Sequence, residues 1–260
     1  GPTATESPAP SPTPTTVDEP QARVTLIDTL DLTQTLSKEA YRTELHSLQT
    51  ELNELAWQAY KAGRSTVLVF EGVDAAGKGG SIRRVTQAVD ARLYRVVSIA
   101  APTEEERAQH YLWRFWRHVP RAGRMTVFDR SWYGRVLVER VEGFTPPARW
   151  QRAYSEINDF EAQLREDGIV LAKFWLQISK DEQLARFKAR EDTPYKQHKI
   201  TDEDWRNREK WDDYRQAVNE MLVRTGTEYA PWTLVAGNDK KFSRIKVLRT
   251  VVEALRQALG

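Results

Sequence analysis

Apolar positions along this chain follow two periods, one typical of buried strands and the other typical of helices. Between the strand-like runs, apolar residues recur every three to four positions, as they do along residues 45–59, and this spacing predicts helices. Strands that alternate with helices form parallel sheets with right-handed crossovers. The expected fold class is therefore α/β, a three-layer α/β/α sandwich with a parallel sheet. The predicted strands are Thr66–Phe70, Tyr94–Ile99, Met125–Phe128, Ile169–Ile178 and Trp232–Ala236.

Seven helices are expected, and three of them begin at a capping box, in which a Ser or Thr precedes an acidic residue by three positions. The boxes begin at Thr103, Ser179 and Thr201. The strand predicted at Ile169–Ile178 is apolar along nearly its whole length, which indicates that helices cover both faces of the sheet. The predicted helices are Ser37–Ala62, Ser81–Ala91, Thr103–Arg117, Trp150–Asp167, Ser179–Arg190, Asp202–Arg224 and Lys241–Leu259.

The start of the chain has a different composition. Residues 1–20 contain six of the 12 prolines, with Ser, Thr and Ala between them. Such a segment has too little apolar surface to fold by itself. We expect residues 1–25 to be a disordered Pro-rich linker or the remnant of a tag, and residues 26–260 to form one domain. A linker at this place also predicts that the natural protein continues upstream.

Composition limits the classes of function. Hydrophobic residues make up 40% of the chain, and no apolar run is long enough to cross a bilayer, so no membrane partner is expected. The chain has no signal-peptide core at its start and no cysteine, which fits a cytoplasmic protein. A formal net charge of +2 without a recognition motif argues against a nucleic-acid partner. The four histidines lack metal-ligand spacing, so we do not expect them to be catalytic.

The segment Val67–Ser81, VLVFEGVDAAGKGGS, has the layout of a phosphate-binding loop: a strand, a glycine-rich loop with one lysine, and a helix. Backbone N–H groups and the helix amino terminus favour anions there. Gly79 replaces the hydroxyl residue that usually binds Mg²⁺, so we expect Asp74 to bind the metal or to orient the acceptor. The alternative is a tight turn without a ligand. The expected phosphate contacts are Gly72, Ala75, Ala76, Gly77, Lys78, Gly79 and Gly80.

A second motif, MTVFDRSWYGR at Met125–Arg135, ends an apolar strand in Asp129. A carboxylate at the carboxyl edge of a parallel sheet, beside the phosphate loop, is the Walker-B arrangement and predicts a second Mg²⁺ ligand. The next residue is Arg130, whose planar guanidinium suits bidentate binding of phosphate oxygens. The competing interpretation is an aspartate that only caps a turn.

A cationic segment, KAREDTPYKQHK at Lys188–Lys199, lies between two predicted helices. It is typical of a mobile lid, at about residues 188–200, that closes over a phosphate chain and excludes water. Arg190 is the expected charge stabiliser in the transition state. An ordinary polar loop between helices is the alternative.

A further basic cluster, Arg107–Arg124, contains no acidic residue. Two clusters of cations after a phosphate loop favour a polyanionic ligand, whereas a solvated helix face is the alternative for either cluster. Aromatic residues accompany these arginines, and their spacing favours core packing over base stacking for most of them. The aromatic residues concerned are Trp113, Trp116, Trp132 and Tyr133.

Together these motifs resemble the family-2 polyphosphate kinases, from about Leu26 to the C-terminus. The matching segments are EGVDAAGKGG, FDRSWYGR, YLWRFWRHVPRAGR, the lid and APWTLVAGNDKKFSRIKVLRTV. The likeness is closest to the C-terminal catalytic half of the tandem-domain class. It implies a P-loop kinase fold, thymidylate-kinase-like with a lid module. It also implies Mg²⁺-dependent transfer of the terminal phosphate of inorganic polyphosphate to AMP, which gives ADP.

The resemblance also implies roles for particular residues. Asp74 and Asp129 would bind Mg²⁺, with Mn²⁺ as the alternative ion. The groups that would stabilise the transferring phosphoryl are Lys78, Arg130 and Arg190. The side chains that would bind the phosphate chain are Arg135, Lys188, Lys196 and Lys199. A homo-oligomer is expected from the same likeness.

Three other functions stay open at this point. The first is a polyphosphate-dependent kinase that acts on ADP or GDP. The second is an ATP-dependent nucleoside monophosphate kinase, because thymidylate-kinase-like proteins also contain Glu-Gly-x-Asp and Asp-Arg at these places. The third is a silent polyphosphate-binding module, against which the intact Asp74, Lys78 and Asp129 argue.

Overall fold

A computed structural model describes residues 26–260 of the chain, and its centre is a parallel sheet. Residues 1–25, where we predict a linker, lie outside the described residues. The strands are β1 Thr66–Gly72, β2 Tyr94–Ser98, β3 Met125–Asp129, β4 Val170–Gln177 and β5 Trp232–Ala236. They lie in the order β2–β3–β1–β4–β5, and every pair of neighbours is parallel. The predicted parallel sheet is confirmed.

Within residues 26–260, ten α-helices and two 3₁₀ turns accompany the strands. The helices are α1 Lys38–Ala62, α2 Lys78–Gln87, α3 Glu104–Arg107, α4 Trp113–Trp116, α5 Val138–Val141, α6 Pro147–Glu166, α7 Lys180–Glu191, α8 Asp202–Glu209, α9 Trp211–Thr225 and α10 Lys240–Leu259. The 3₁₀ turns are Trp132–Val136 and Pro194–Lys199. None of these helices combines the length and the hydropathy needed to cross a membrane.

Helices cover both faces of the sheet, because successive side chains of a strand point to opposite faces. On one face, α1, α2 and α10 pack on Leu68, Phe70 and Phe174, and the two phenylalanine rings stack at 4.9 Å. On the other face, α6 and α9 pack on Val69 and Trp175. The predicted three-layer α/β/α sandwich is confirmed.

Two predicted helices are each divided into two. The helix predicted over Thr103–Arg117 forms α3 and α4, and near the break the N–H of Leu112 donates to Nδ1 of His110 at 3.3 Å. The helix predicted over Asp202–Arg224 forms α8 and α9 and is interrupted at Lys210, where ψ is 24°. Apolar spacing alone does not reveal such breaks, because it is the same on both sides of them.

The predicted helix starts are mostly correct. The capping boxes at Thr103 and Thr201 are both formed, with reciprocal side-chain bonds. Ser179 acts as an N-cap by accepting from the N–H of Glu182 at 3.1 Å. Two starts are displaced by three residues: α2 begins at Lys78 rather than at the predicted Ser81, and α6 begins at Pro147 rather than at the predicted Trp150. Proline fits the first turn of α6.

The register of the sheet brings the two predicted motifs to one edge. Phe70 of β1 lies beside Asp129 of β3, and Gly72 lies beside Leu176 of β4. Parallel strands share their carboxyl edge, where ligands of open α/β sheets bind. The glycine-rich loop and Asp129 are therefore neighbours in space, although Lys78 and Asp129 lie 51 positions apart in the chain.

A buried ion pair lies under α6 and α9. Lys173 of β4 donates to Glu161 at 2.9 Å, and neither side chain has exposed surface. Glu161 also accepts from Trp132 and Tyr133, which are both buried in the core. Burial lowers the pKa of Lys173 and raises the pKa of Glu161, while each group favours the charged form of the other. The network fixes the 3₁₀ turn after β3 and confirms core packing for these two aromatic residues.

We expect Lys173→Met to lower the free energy of unfolding by about 3 kcal/mol, because it leaves a buried carboxylate without its cation. Urea unfolding followed by tryptophan fluorescence measures the change. The double variant Lys173→Met/Glu161→Leu removes both charges, so it should regain more than half of the lost stability. A single variant as stable as the wild type would contradict this account of the pair.

Candidate active site

Glycines hold the loop after β1 close to the sheet. Gly77 caps α2 with a φ of 97°, a conformation that glycine adopts at little cost. A side chain at Gly72 would lie 2.7 Å from the carbonyl oxygen of Leu176, so only glycine fits there. The helix starts at Lys78, three residues before the predicted Ser81. All the predicted loop contacts therefore lie in the loop or in the first turn of α2, whose amino end favours anions.

Two ion pairs join the loop to the end of β3. Lys78 donates from Nζ to Oδ1 of Asp129 at 3.1 Å. Arg130 lies 3.7 Å from Asp74, measured between Nη2 and Oδ1. These four residues were predicted from two separate motifs, and the structure brings them together. Each cation is still partly exposed, at 16% for Lys78 and 47% for Arg130, so a phosphate from solvent has access to both.

Arg130 has an unusual backbone conformation. Its φ is 64°, in the left-handed region that residues with side chains rarely adopt. The N–H of Arg130 donates to the carbonyl of Phe70 at 3.0 Å, which keeps the turn beside β1. Strain of this kind costs about 1–2 kcal/mol and is common at functional sites. The turn directs the Arg130 guanidinium towards the loop, where its predicted role lies.

Asp74 is held by residues that the sequence did not single out. Asn207 of α8 donates to Oδ2 of Asp74 at 2.8 Å, and Gln183 of α7 donates to its backbone carbonyl at 3.0 Å. Tyr214 donates to the amide oxygen of Asn207, Oδ1, at 3.2 Å. The predicted metal ligand is thus oriented by the two helices that flank the lid. No sequence signal marks Asn207, because α8 is polar apart from Trp205 and Asn207 is one of seven polar residues in it.

Burial and charge together set the protonation of the site. Burial raises the pKa of Asp74, although the Asn207 bond and the neighbouring cations oppose this rise. Glu71 is buried beside Ser131, and burial raises its pKa as well. Partial burial works against the charge on Arg130, but the nearby carboxylates outweigh it and raise its pKa. Arg130 therefore stays positively charged. The carboxylates of Asp74 and Glu71 beside it are protonated more easily than exposed carboxylates, and a bound cation would favour their charged forms.

The lid segment approaches the loop from α7. Its 3₁₀ turn spans Pro194–Lys199, where the sequence predicts a lid. Arg190 and Lys196 lie near enough to Lys240 of α10 to affect its titration. The side chains of Lys188 and Lys199 are exposed, and among residues 26–260 they make no hydrogen bond or ion pair. The lid and its flanks therefore offer cations without an ion pair among the described residues, two of them near Lys240.

Arg186 of α7 contacts the loop directly, although no motif in the sequence marks it. Its guanidinium donates to the carbonyl of Ala75 at 2.7 Å and to those of Gly237 and Asn238 at 2.8 and 3.0 Å. It also pairs with Glu182 at 2.9 Å. Arg186 joins the phosphate loop to the turn after β5, so it positions the loop while its own donors are occupied.

Arg135 makes its side-chain contacts with residues outside the loop. It donates to Glu139 at 3.1 Å and to Thr145 at 2.8 Å, and its guanidinium lies 4.1 Å from the ring centre of Tyr111. Only 15% of its side chain is exposed. Nη1 of Arg135 is thus occupied within the fold, while its Nε is buried without a hydrogen-bond partner among the described residues. The role of Arg135 in binding phosphate stays a prediction.

The basic stretch Arg107–Arg124 is also divided by the fold. Arg114 pairs with Glu106 at 3.6 Å and donates to the carbonyl of Ala100 at 2.8 Å. Arg124 immediately precedes β3, so it lies at the opposite edge of the sheet from Asp129. The arginines of this stretch are distributed over α3, α4 and the turn before β3. They therefore do not form one continuous groove with the phosphate loop.

A pocket opens beside Asp74 and Arg130 on the side of α8 and α9. Its volume is about 810 Å³, open solvent included. Its walls are mostly apolar and include Trp175, Trp211 and Leu137. Polar side chains from the lid side also line it, among them Glu203, Asn207, Gln183 and Tyr214. An apolar pocket with a few polar groups, next to cations, suits a flat organic ring attached to a phosphate.

The donor set of the site fits a hard divalent cation. Asp74 and Asp129 supply carboxylate oxygens, and Mg²⁺ in enzymes is commonly held by one or two carboxylates together with substrate phosphates. Among residues 26–260, no group of three or more His, Cys, Asp or Glu side chains could hold a metal without such help. The arrangement thus fits an ion that arrives with, and is completed by, a phosphate ligand.

Comparison with known protein families gives one match that spans most of the chain. The family model described as polyphosphate kinase 2 matches residues 35–259. A curated relative from Pseudomonas aeruginosa, named polyphosphate:AMP phosphotransferase, is 62% identical over 90% of this chain. The chain spans about half of that relative, 47% of its length.

Two further proteins resemble the chain over most of their own length. A GDP-polyphosphate phosphotransferase from Mycobacterium tuberculosis is 40% identical, over 86% of this chain and 76% of the relative. The crystal structure of polyphosphate kinase 2 from Arthrobacter aurescens superposes with a TM-score of 0.86 at 37% identity. That match covers 89% of this chain and 85% of the crystal chain. Sequence and fold therefore point to the same family.

Proposed function

Because this chain belongs to the polyphosphate kinase 2 family, we propose that it transfers the terminal phosphoryl group of inorganic polyphosphate to AMP and so forms ADP. The relative that is 62% identical carries the name of that activity. The observation that supports it most is the pairing of Lys78 with Asp129 and of Arg130 with Asp74 at the carboxyl edge of the sheet. Two cations and two carboxylates there suit phosphoryl transfer between two anionic substrates.

The acceptor occupies the pocket beside Asp74 and Arg130. Its base lies against the apolar wall of Trp175, Trp211 and Leu137, and its phosphate points to the loop. An oxygen of that phosphate attacks the terminal phosphorus of the donor, and the bond from this phosphorus to the bridging oxygen breaks. The nucleophile is already an anion, so the chain needs no general base and forms no covalent intermediate with phosphate.

Cations of the chain lower the barrier by neutralising charge as it moves. Lys78 and Arg130 lie on either side of the loop and act on the transferring group. Arg190, on the lid side, acts as the third cation when the lid closes. Closure also excludes water, which would otherwise accept the phosphoryl group. Lys188, Lys196 and Lys199 line the approach of the donor chain.

Asp74 and Asp129 are the residues that would hold Mg²⁺, with Mn²⁺ as the alternative ion. When bound, such an ion neutralises charge on phosphate oxygens and orients them. Asn207 and Gln183 fix the position of Asp74, while Lys78 fixes that of Asp129. The proposal also includes a cytoplasmic location, assembly as a homo-oligomer, and no nucleic-acid or membrane partner.

A second acceptor class deserves a direct test, because the Mycobacterium tuberculosis relative is named for GDP rather than AMP. The test supplies polyphosphate with AMP, GMP, ADP or GDP as acceptor and separates the products by anion-exchange chromatography. We expect ADP to form fastest, since the first-named relative acts on AMP. Faster conversion of GDP would overturn the choice of acceptor, and conversion of none of the four would overturn the activity itself.

A further inference from the structure

Two cations at the amino end of α10 have no carboxylate partner among residues 26–260. Three other cations of this region are paired: Lys241 with Asp239, Arg249 with Glu44 and Arg256 with Glu51. Lys240 and Arg244 make no ion pair within the part of the chain that the structure describes. Both lie in the first two turns of α10, which has no acidic residue in its first turn. A cation at the positive end of a helix dipole is unfavourable, so these two positions are costly for folding.

Arg244 lies over the phosphate loop. A methyl group built on Gly80 would be 2.9 Å from Nη2 and 3.4 Å from Nε of Arg244, so the guanidinium contacts the first turn of α2. The turn before α10 contacts the loop as well: a side chain at Gly237 would lie 3.1 Å from the carbonyl oxygen of Ala76. The amino end of α10 and the turn before it therefore contact the loop and the first turn of α2.

Further cations converge on the same place from α7 and the lid. The pKa of Lys240 is lowered by partial burial and by the charges of its cationic neighbours. These neighbours are Arg186, Arg244, Arg190 and Lys196. Arg186 already uses its donors on backbone carbonyls, but the others have no ion-pair partner among residues 26–260. Like charges that stay together without anions favour a polyanionic ligand, which relieves their repulsion.

We propose that Lys240 and Arg244 form a second phosphate subsite, which binds the polyphosphate chain beyond its transferred end. The proposal rests on polyphosphate as the donor. The donor runs from Lys78 past Gly80 to α10, while the acceptor pocket opens on the side of α8 and α9 and includes no residue of α10. Donor and acceptor thus approach the reacting phosphorus from opposite sides, as an in-line transfer requires.

The test is direct binding of inorganic polyphosphate, measured by isothermal titration without nucleotide or divalent metal at several salt concentrations. The variants are Lys240→Met and Arg244→Met, and the control is Lys246→Met, which removes an exposed charge from the same helix. Each of the two variants should weaken binding of long chains by about 10-fold and reduce the salt slope by about one. The control should stay within about two-fold. The affinity for inorganic triphosphate should change less in both variants, because so short a donor ends before it reaches α10.

Kinetics and stability separate this role from a structural one. The KM for long-chain polyphosphate should rise by about 10-fold in either variant, while the KM for AMP changes by less than about two-fold. The midpoint of thermal unfolding should equal or exceed that of the wild type, because a like charge is removed. If both variants bound long chains as tightly as the wild type does, the proposed subsite would be overturned, whereas the assignment of polyphosphate as the donor would stand. A wild-type protein that binds no polyphosphate would overturn the donor assignment together with the subsite.

Discussion

Asp129→Asn is expected to lower kcat by on the order of 10⁴-fold, equivalent to about 5 kcal/mol of transition-state stabilisation. The substitution removes the carboxylate that Lys78 contacts at 3.1 Å and that would hold the metal. An amide of the same shape keeps the packing at the end of β3 but not the charge. Steady-state formation of ADP from AMP and polyphosphate measures the effect.

The matched control for this variant is Asp90→Asn. Asp90 also contacts a cation, Arg92, at 2.9 Å, but it lies before β2 and away from the loop. We expect its kcat to stay within about two-fold of the wild type, since exposed ion pairs contribute little. If Asp129→Asn kept kcat within ten-fold of the wild type while folded, the assignment of this carboxylate would fail.

Arg130→Gly is expected to lower kcat by about 10³-fold, the smaller end of the range for an arginine that stabilises a transferring phosphoryl group. Glycine accepts the φ of 64° without strain, so the variant should fold as the wild type does. The loss of activity is then attributable to the guanidinium rather than to the backbone. Thermal unfolding measured beside the kinetics checks this separation.

Arg130→Lys provides the second arm of the same experiment. Lysine keeps the positive charge and the strained backbone but loses the planar fork that binds two phosphate oxygens at once. Its kcat should therefore fall between those of the wild type and the glycine variant. Equal activities of the lysine variant and the wild type would show that charge alone matters, and a fully active glycine variant would remove Arg130 from the mechanism.

The sequence predicted the fold well because the signals that define it are local. Five apolar runs separated by helical patterns allow few arrangements, and the parallel sheet follows from them. The loop around Lys78 and the strand end at Asp129 were found for the same reason: each is a short motif at the end of a strand. Their adjacency follows from the parallel register.

Other features of the site depend on packing between distant elements and had no local signal. Asn207 contacts Asp74 across 133 positions of sequence, and Arg244 lies over Gly80 only because α10 packs against α2. The contacts of Arg135 with Tyr111 and Thr145 likewise join segments that are distant in sequence, so its motif alone did not predict them. The catalytic roles of Asp74, Lys78, Asp129, Arg130 and Arg190 stay predictions.

The choice of donor tests the central claim most directly. Purified protein is mixed with AMP and Mg²⁺ and receives either polyphosphate or ATP, at equal concentrations of phosphoanhydride bonds, and ADP formation and donor consumption are followed by ³¹P NMR. With polyphosphate, we predict one phosphoanhydride bond of the donor consumed for each ADP formed, at a rate at least about 100-fold above that with ATP. ADP formation from ATP alone, with polyphosphate left intact, would contradict the account.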